Sequence, residues 1–251
     1  MTAPIDRAAQ LLVRLLESEE PVGLGELADA ADLPKSTTSR LVATLERHGL
    51  VHQAGARGKL EPGPVIMRFA HRGAAERHLV ELAEPSLEAL SEASGETINV
   101  AVPSAHGVEH LSQVDARHFL GAGHWVGRRV DYHCTANGKV FLAYGAGQLP
   151  SGRLRRATER TIVDREALEH QLERVRREEF AAAIDELEVG LAAIAAPVRG
   201  PTGDVIAALS VSGPTLRLQD GRIDELQPIV ISEARALGER LGHAKEKERA
   251  A

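Results

Sequence analysis

At 251 residues and 43% hydrophobic content, the chain is long enough for one large or two modest domains, each with its own core. Aromatic residues make up 3%, the net charge is −6, and Cys134 is the sole cysteine, which excludes an intrachain disulfide and points to a reducing compartment. Met1–Asp6 lacks a basic stretch leading into an apolar one, and no apolar run approaches a membrane span, so the expected location is cytoplasmic with no membrane partner.

Ile5–Glu19 reads as a helix with Ala8, Leu11, Leu12, Leu15 and Leu16 on one face. A second, short helix spans Leu24–Leu33. The third, over 34–48, places Thr38, Leu41, Val42 and Leu45 at i, i+3, i+4 and i+7, one face of a 3.6-residue period. Pro34 suits the first helical turn, where the amide it lacks would have no intrahelical partner, and Gly49 suits a left-handed C-cap. The opposite face carries Lys35, Ser36, Thr37, Ser39, Arg40, Thr44 and Arg47. Hydroxyls and cations in that arrangement contact base edges and phosphates from the major groove. Leu50–Gln53, a turn at Gly55-Ala56-Arg57-Gly58 and a return over Lys59–Gly63 make a hairpin with Arg57 and Lys59 at its tip. Helix, turn, helix and hairpin in this order describe a winged helix-turn-helix, whose expected partner is double-stranded DNA. Charge agrees: residues 33–78 carry eight Lys or Arg against three Asp or Glu, a balance of +5 that leaves −11 for the remainder.

Val65–His78 reads as a polar linker helix. A second domain begins near Leu79, with a helix through Leu82, Leu87 and Leu90 that ends at Gly95. Thr97–Val102 and Gly107–Val114 pair as strands, a Gly-rich stretch covers 121–127, and a helix resumes at Ala136–Tyr144. Asp164 caps a helix through Arg177 with Leu168, Leu172 and Val175 inward. Strands Ala192–Val198 and Val205–Ser212 flank a turn at 201–204, a last helix runs from Ile223 to Gly242, and Lys245–Ala251 is expected to fray. The alternation of strands and helices, with hairpins among the strands, is an α+β pattern.

Two rival chemistries are weighed. Cys134 beside His133 invites a thiol nucleophile, but neighbours on one strand point to opposite faces, and no serine elbow, phosphate loop or paired-carboxylate motif is present. The chain is therefore not expected to be an enzyme. Five of the eleven histidines (106, 110, 118, 124 and 133) lie within 28 residues, and His106 and His110 are four apart. That spacing suits zinc on a helix, whereas Gly107 argues for a hairpin, so surface histidines, no metal and no cofactor are expected.

The residues resemble those of IclR-family bacterial transcriptional regulators over positions 5–242. The resemblance is carried by Leu33-Pro-Lys-Ser-Thr37, Arg40-Leu-Val-Ala-Thr-Leu-Glu46 and Gly49 in the first domain. In the second it is carried by Gly95-Glu-Thr-Ile-Asn99, His133-Cys-Thr-Ala-Asn-Gly-Lys139 with Leu142-Ala143, Ala195-Ala-Pro-Val198, and Ala208-Leu-Ser-Val-Ser-Gly-Pro214. It implies an N-terminal all-α winged helix-turn-helix (1–63), a linker helix (64–78) and a C-terminal α+β, GAF-like effector and oligomerisation domain with a mainly antiparallel sheet (79–251). It also implies dimers through the N-terminal domains, tetramers in many members, a pseudo-palindromic operator, and a small organic effector, often a carboxylate from a catabolic pathway.

By the same resemblance the effector pocket falls on Ala136, Asn137, Gly138, Leu191, Ala193, Ser210 and Ser212, bordered by segments holding Phe119, Ala122, Trp125 and Phe141. Local chemistry is compatible: Ser210 and Ser212 emerge on one face of a strand, and amides at a Gly-containing helix start donate to anions. Ala183 stands where the family often has an acidic residue, Ala193 where it often has Cys, and Asp131 where it usually has Pro. A pocket less polar or larger than in relatives that bind very small keto-acids is therefore expected, with an aromatic or bulkier carboxylate as effector. The alternative is a winged-helix regulator controlled by a metal or a protein partner.

Overall fold

The computed structural model describes residues 3–18, 20–54, 58–219 and 221–243. Internal contacts divide the chain into two units, Met1–Arg77 and His78–Ala251. In the first unit, α1 (Ala3–Leu16), α2 (Leu24–Ala30) and α3 (Lys35–Arg47) are followed by the antiparallel hairpin β1 (Val51–Ala54) and β2 (Lys59–Pro62). Leu11, Leu15, Leu27, Val42, Leu45, Val51 and Leu60 make its core, so the period seen in α3 does face inward.

The sequence places Pro34 inside α3, but it is the N-cap (ψ 138°), and its carbonyl accepts from the amides of Thr37 and Thr38. Helix α2 ends at Ala30, three residues short of the expected Leu33, because Asp32 adopts a left-handed conformation (φ 49°). Gly49 (φ 69°) closes α3 in a Schellman arrangement: its amide reaches the Glu46 carbonyl at 2.8 Å and the Leu50 amide reaches Leu45 at 3.0 Å. Val22 adds a bridge to Leu60 that extends the wing, a pairing no local pattern announces.

Helix α4 (Pro64–Ser94) corrects the expectation of a linker helix followed by a separate one. The 31 residues are one helix, with Pro85 in its interior. What changes near Leu79 is burial and not backbone: no helical residue before it is buried, while Leu79, Ala83, Leu87 and Leu90 are. Among the described residues no helix is long and apolar enough to cross a membrane.

The second unit holds β3 (Thr97–Ser104), β4 (Gly107–Val114), β5 (Arg129–Val130), α5 (Ala136–Ala143), α6 (Arg165–Glu178), β6 (Ala181–Ile184), β7 (Leu191–Arg199), β8 (Val205–Pro214) and α7 (Arg222–Arg240). Its sheet has the order β5-β4-β3-β8-β7-β6 with every pair antiparallel. One cluster joins Ile98, Val100, Ile194, Val198, Leu209 and Val211 to Leu87 and Leu90 of α4 and to Leu226, Val230 and Leu237 of α7. The opposite sheet face is rich in alanine (101, 183, 195 and 208), and those short side chains let α5 lie against it, with α6 packed on α5. Gly138 on α5 is obligatory there, since a Cβ would overlap the Tyr132 carbonyl. Strands β5 and β6 escaped the sequence reading: the first has two residues, and the second is an Ala-Ala-Ala-Ile run without alternation.

Candidate functional site

In the first unit, α3 turns Thr38, Val42 and Leu45 inward and leaves Lys35, Ser36, Ser39, Arg40, Thr44 and Arg47 exposed, with Thr37 half-buried. Arg47 Nη2 donates to Thr44 Oγ1 at 3.2 Å, and Thr44 Oγ1 donates to the Arg40 carbonyl at 3.0 Å, so a cation and a hydroxyl at the far end are held together. At the near end the amides of Lys35 and Ser36 have no intrahelical partner, which gives this surface donors from backbone as well as side chains. Lys59 is exposed at the start of β2, and Gln53 Nε2 braces the hairpin by donating to the Gly58 carbonyl at 3.0 Å. Arg57 lies outside the described residues.

In the second unit, a cavity of about 40 Å³ lies where α5 meets β3, β4, β7 and β8. Of the expected pocket residues it brings together Trp125, Ala136, Asn137, Leu191, Ala193, Ser210 and Ser212. It does not bring in Phe119, which is fully exposed, or Ala122, whose amide donates to Thr97 Oγ1. Phe141, Gly138 and Ala183 face elsewhere: Phe141 is core against the Tyr132 ring (centroids 6.3 Å apart), Gly138 abuts the Tyr132 backbone, and Ala183 packs in the α6 cluster. Sequence reasoning missed Asn99, His110, Val130, Thr135 and Leu187, which complete the lining. Thr135 carried a signal, being a hydroxyl residue directly before a helix; it is the N-cap of α5, accepting from the Gly138 amide at 3.2 Å. Asn99 carried one as well, as a polar residue within an apolar strand.

Six polar side chains (Asn99, His110, Thr135, Asn137, Ser210 and Ser212) line a space that holds a few waters' worth of volume, with Trp125, Leu187 and Leu191 among its apolar lining. None of the lining residues is Lys or Arg. Asn137 Nδ2 donates to Ser210 Oγ at 3.0 Å and approaches His110 Nε2 at 3.4 Å. Ser212 Oγ turns toward the Thr97 carbonyl at 3.4 Å. Gln113 holds the loop that carries Trp125: its Oε1 accepts from the Trp125 amide and from Asn99 Nδ2, and its Nε2 donates to the Gly123 carbonyl.

His110 is buried, against the expectation of surface histidines, while His106 is exposed. Burial lowers the imidazole pKa to about 4, and a backbone hydrogen bond with Arg128 works in the other direction. His133 and Cys134 lie in the turn before α5 and not on a strand. His133 Nε2 pairs with the Arg155 carbonyl at 2.8 Å, and burial pushes the Cys134 thiol up to about 11, so the nucleophile a thiolate chemistry needs is suppressed. Among the described residues Asp131, His133 and Cys134 bring possible metal-ligand atoms within 4.8 Å of one another. Arg155 already pairs with Asp131 at 2.9 Å and places a cation beside them.

Known proteins with this sequence pattern decide what the two units are. A family model for the IclR helix-turn-helix domain matches residues 4–55, and one for the bacterial transcriptional regulator IclR C-terminal domain matches residues 71–239. The chain belongs to the IclR family. It is 32% identical over 238 residues to the HTH-type transcriptional regulator BhcR of Paracoccus denitrificans, covering 93% of this chain and 85% of that one. It is also 32% identical over 238 residues to the transcriptional repressor IclR of Escherichia coli, covering 92% and 87%. Among solved structures, an IclR homolog from Microbacterium hydrocarbonoxydans complexed with 4-hydroxybenzoate matches with a TM-score of 0.60 at 25% identity, over 99% of this chain and 100% of that one. The IclR family is one of DNA-binding transcriptional regulators, not of enzymes, so the exposed α3 face belongs to a DNA-binding domain and the cavity to an effector-binding domain.

Proposed function

We propose that this protein is a cytoplasmic, ligand-responsive regulator of a catabolic operon, which binds a pseudo-palindromic operator as a homodimer or tetramer and responds to a small organic acid. The observation that carries the DNA half is the exposed hydroxyl and cation face of α3 opposite its buried Thr38, Val42 and Leu45. Ser36, Thr37 and Arg40 would meet base edges or phosphates, Lys35, Ser39, Thr44 and Arg47 would anchor phosphates, and the wing residues Arg57 and Lys59 would add salt-dependent affinity. The ligand half rests on the cavity, where the Ala136 and Asn137 amides at the start of α5 and the Ser210 and Ser212 hydroxyls offer an anion uncharged donors. The 4-hydroxybenzoate in the Microbacterium relative supports an aromatic acid, which needs Trp125 to move aside.

The test is binding to the DNA upstream of the protein's own gene, titrated across salt with and without a panel of acids. Arg40→Ala is expected to weaken operator affinity by about 1–3 kcal/mol if the guanidinium makes a bidentate base contact. Unchanged affinity would remove Arg40 from the reading face. Ser210→Ala combined with Ser212→Ala is expected to leave DNA binding intact and abolish the response to acid; a preserved response would remove the cavity from the reading.

A further inference from the structure

His110 on β4 and Asn137 on α5 are both more than nine-tenths buried, and each keeps one polar atom without a well-formed hydrogen bond: Nδ1 of the imidazole, on a ring that the Arg128 backbone approaches, and Oδ1 of the amide. Buried polar groups are nearly always paired, so two orphans from side chains lining one cavity call for an occupant. Their roles are linked through the contact between them. With the Asn137 amide donating to Ser210 Oγ and to His110 Nε2, the imidazole carries its proton on Nδ1, which leaves one free donor (Nδ1–H) and one free acceptor (Oδ1). Reversing the amide and switching the tautomer turns both contacts around and leaves one free acceptor (Nδ1) and one free donor (Nδ2). Either arrangement leaves one of each.

We propose that the effector seats a hydroxyl, or another group that both donates and accepts, against His110 and Asn137, and that this uncharged pair distinguishes hydroxylated acids from their deoxy counterparts. The inference rests on the effector reading of the cavity. A carboxylate brings acceptors alone and satisfies half of the pair; a hydroxyl satisfies both halves. No Lys or Arg lines the cavity to favour an anion at this end, and burial holds the imidazole neutral at physiological pH. The anion of the same ligand meets the backbone amides at the start of α5, while the hydroxyl meets the Asn137 side chain and His110. Both orphan atoms are sealed from solvent, with the Trp125 ring 6.0 Å from that of His110, so a ligand reaches them by shifting Trp125. Trp125 is the only tryptophan in the chain, which makes its fluorescence a direct reporter of that step.

The experiment compares two matched pairs of probes, lactate against propionate and 4-hydroxybenzoate against benzoate. Thermal shift is read for both pairs and Trp125 fluorescence for the aliphatic one. In the wild-type protein the hydroxylated member of at least one pair is expected to bind about tenfold or more tightly than its deoxy partner, since a site built to pair with a hydroxyl is left unpaired without it. His110→Phe is expected to close that gap while both members still bind. Without ligand, the same variant is expected to raise Tm by a few degrees, having removed an orphaned polar atom. Deoxy acids that bind as tightly as their partners, a gap that survives His110→Phe, or a ligand-free Tm that falls would each overturn the hydroxyl seat. Failure of all four acids to bind would overturn it as well. Ser210→Val separates this from failure of the effector reading. If it abolishes binding of equally bound pairs, the pocket stands and the hydroxyl seat falls; if it leaves binding untouched, the effector reading falls too.

Discussion

Lys139→Met is expected to cost the second unit about 3–5 kcal/mol, read as a shift in the urea midpoint followed by Trp125 fluorescence. Lys139 is 1% exposed, and its Nζ donates to Glu186 Oε1 at 2.5 Å and to the Ala182 carbonyl at 3.1 Å. Burial pushes the ammonium pKa down and the Glu186 pKa up, and the contact between them opposes both shifts. Glu186 Oε2 lacks a well-formed hydrogen bond, so removing the cation would leave a buried carboxyl without its counter-ion, with only the Ile184 backbone and His133 nearby to offset its burial. A paired replacement, Lys139→Met with Glu186→Leu, is expected to recover most of the loss, because it removes both charges from the interior together. The backbone on that side keeps its ties, since the Glu186 carbonyl accepts from Thr161 Oγ1 at 2.7 Å and the Asp185 carbonyl from Thr158 Oγ1 at 2.6 Å. A double variant no more stable than Lys139→Met would mean that the loss comes from α5 packing and not from the orphaned charge.

This pair marks a limit of what sequence can disclose. Lys139 sits in a short helix buried on nearly every side, and a helix without a polar face offers no periodic signal to say where a lysine points. The winged unit was legible for the opposite reason. Its helices have one wet and one dry face, and its turns are marked by Gly49 and Gly58, both at positive φ. The α4 helix was misread because its wet first half and its leucine-lined second half look like two elements when only composition is followed.

The cavity was half legible. Ser210 and Ser212 follow strand alternation, but His110 and Gln113 are three apart and would face opposite sides of a regular strand. The β3–β4 register shows why they do not: Val100 pairs with Ser112 and Ala101 with His110, which leaves Leu111 as the extra residue of a bulge. That single insertion turns His110 toward Asn137 while Gln113 bonds Asn99, which itself pairs with Ser210 on β8. Register of this kind is set by long-range pairing, which a pass along one chain does not contain.

The bulge therefore places a neutral imidazole in the interior, and acid should expose that choice. An unfolded histidine titrates near 6.5 and His110 in the fold near 4, so between those values the unfolded chain takes up a proton that the folded one refuses. Stability contributed by the neutral ring is whole above pH 6.5, falls as the pH drops through that range, and stops falling below about 4. A separation of this size corresponds to about 3 kcal/mol in all, and to roughly 2 kcal/mol by pH 5. The expected result is a unfolding midpoint for the wild-type second unit that drops steeply from pH 7 to pH 5, followed by Trp125 fluorescence in urea. In His110→Phe that part of the slope should vanish, whatever the other histidines and carboxylates contribute to both proteins. Parallel profiles for the two would mean that His110 is protonated as readily inside the fold as outside it, and that the ring is not held as an uncharged partner for Asn137.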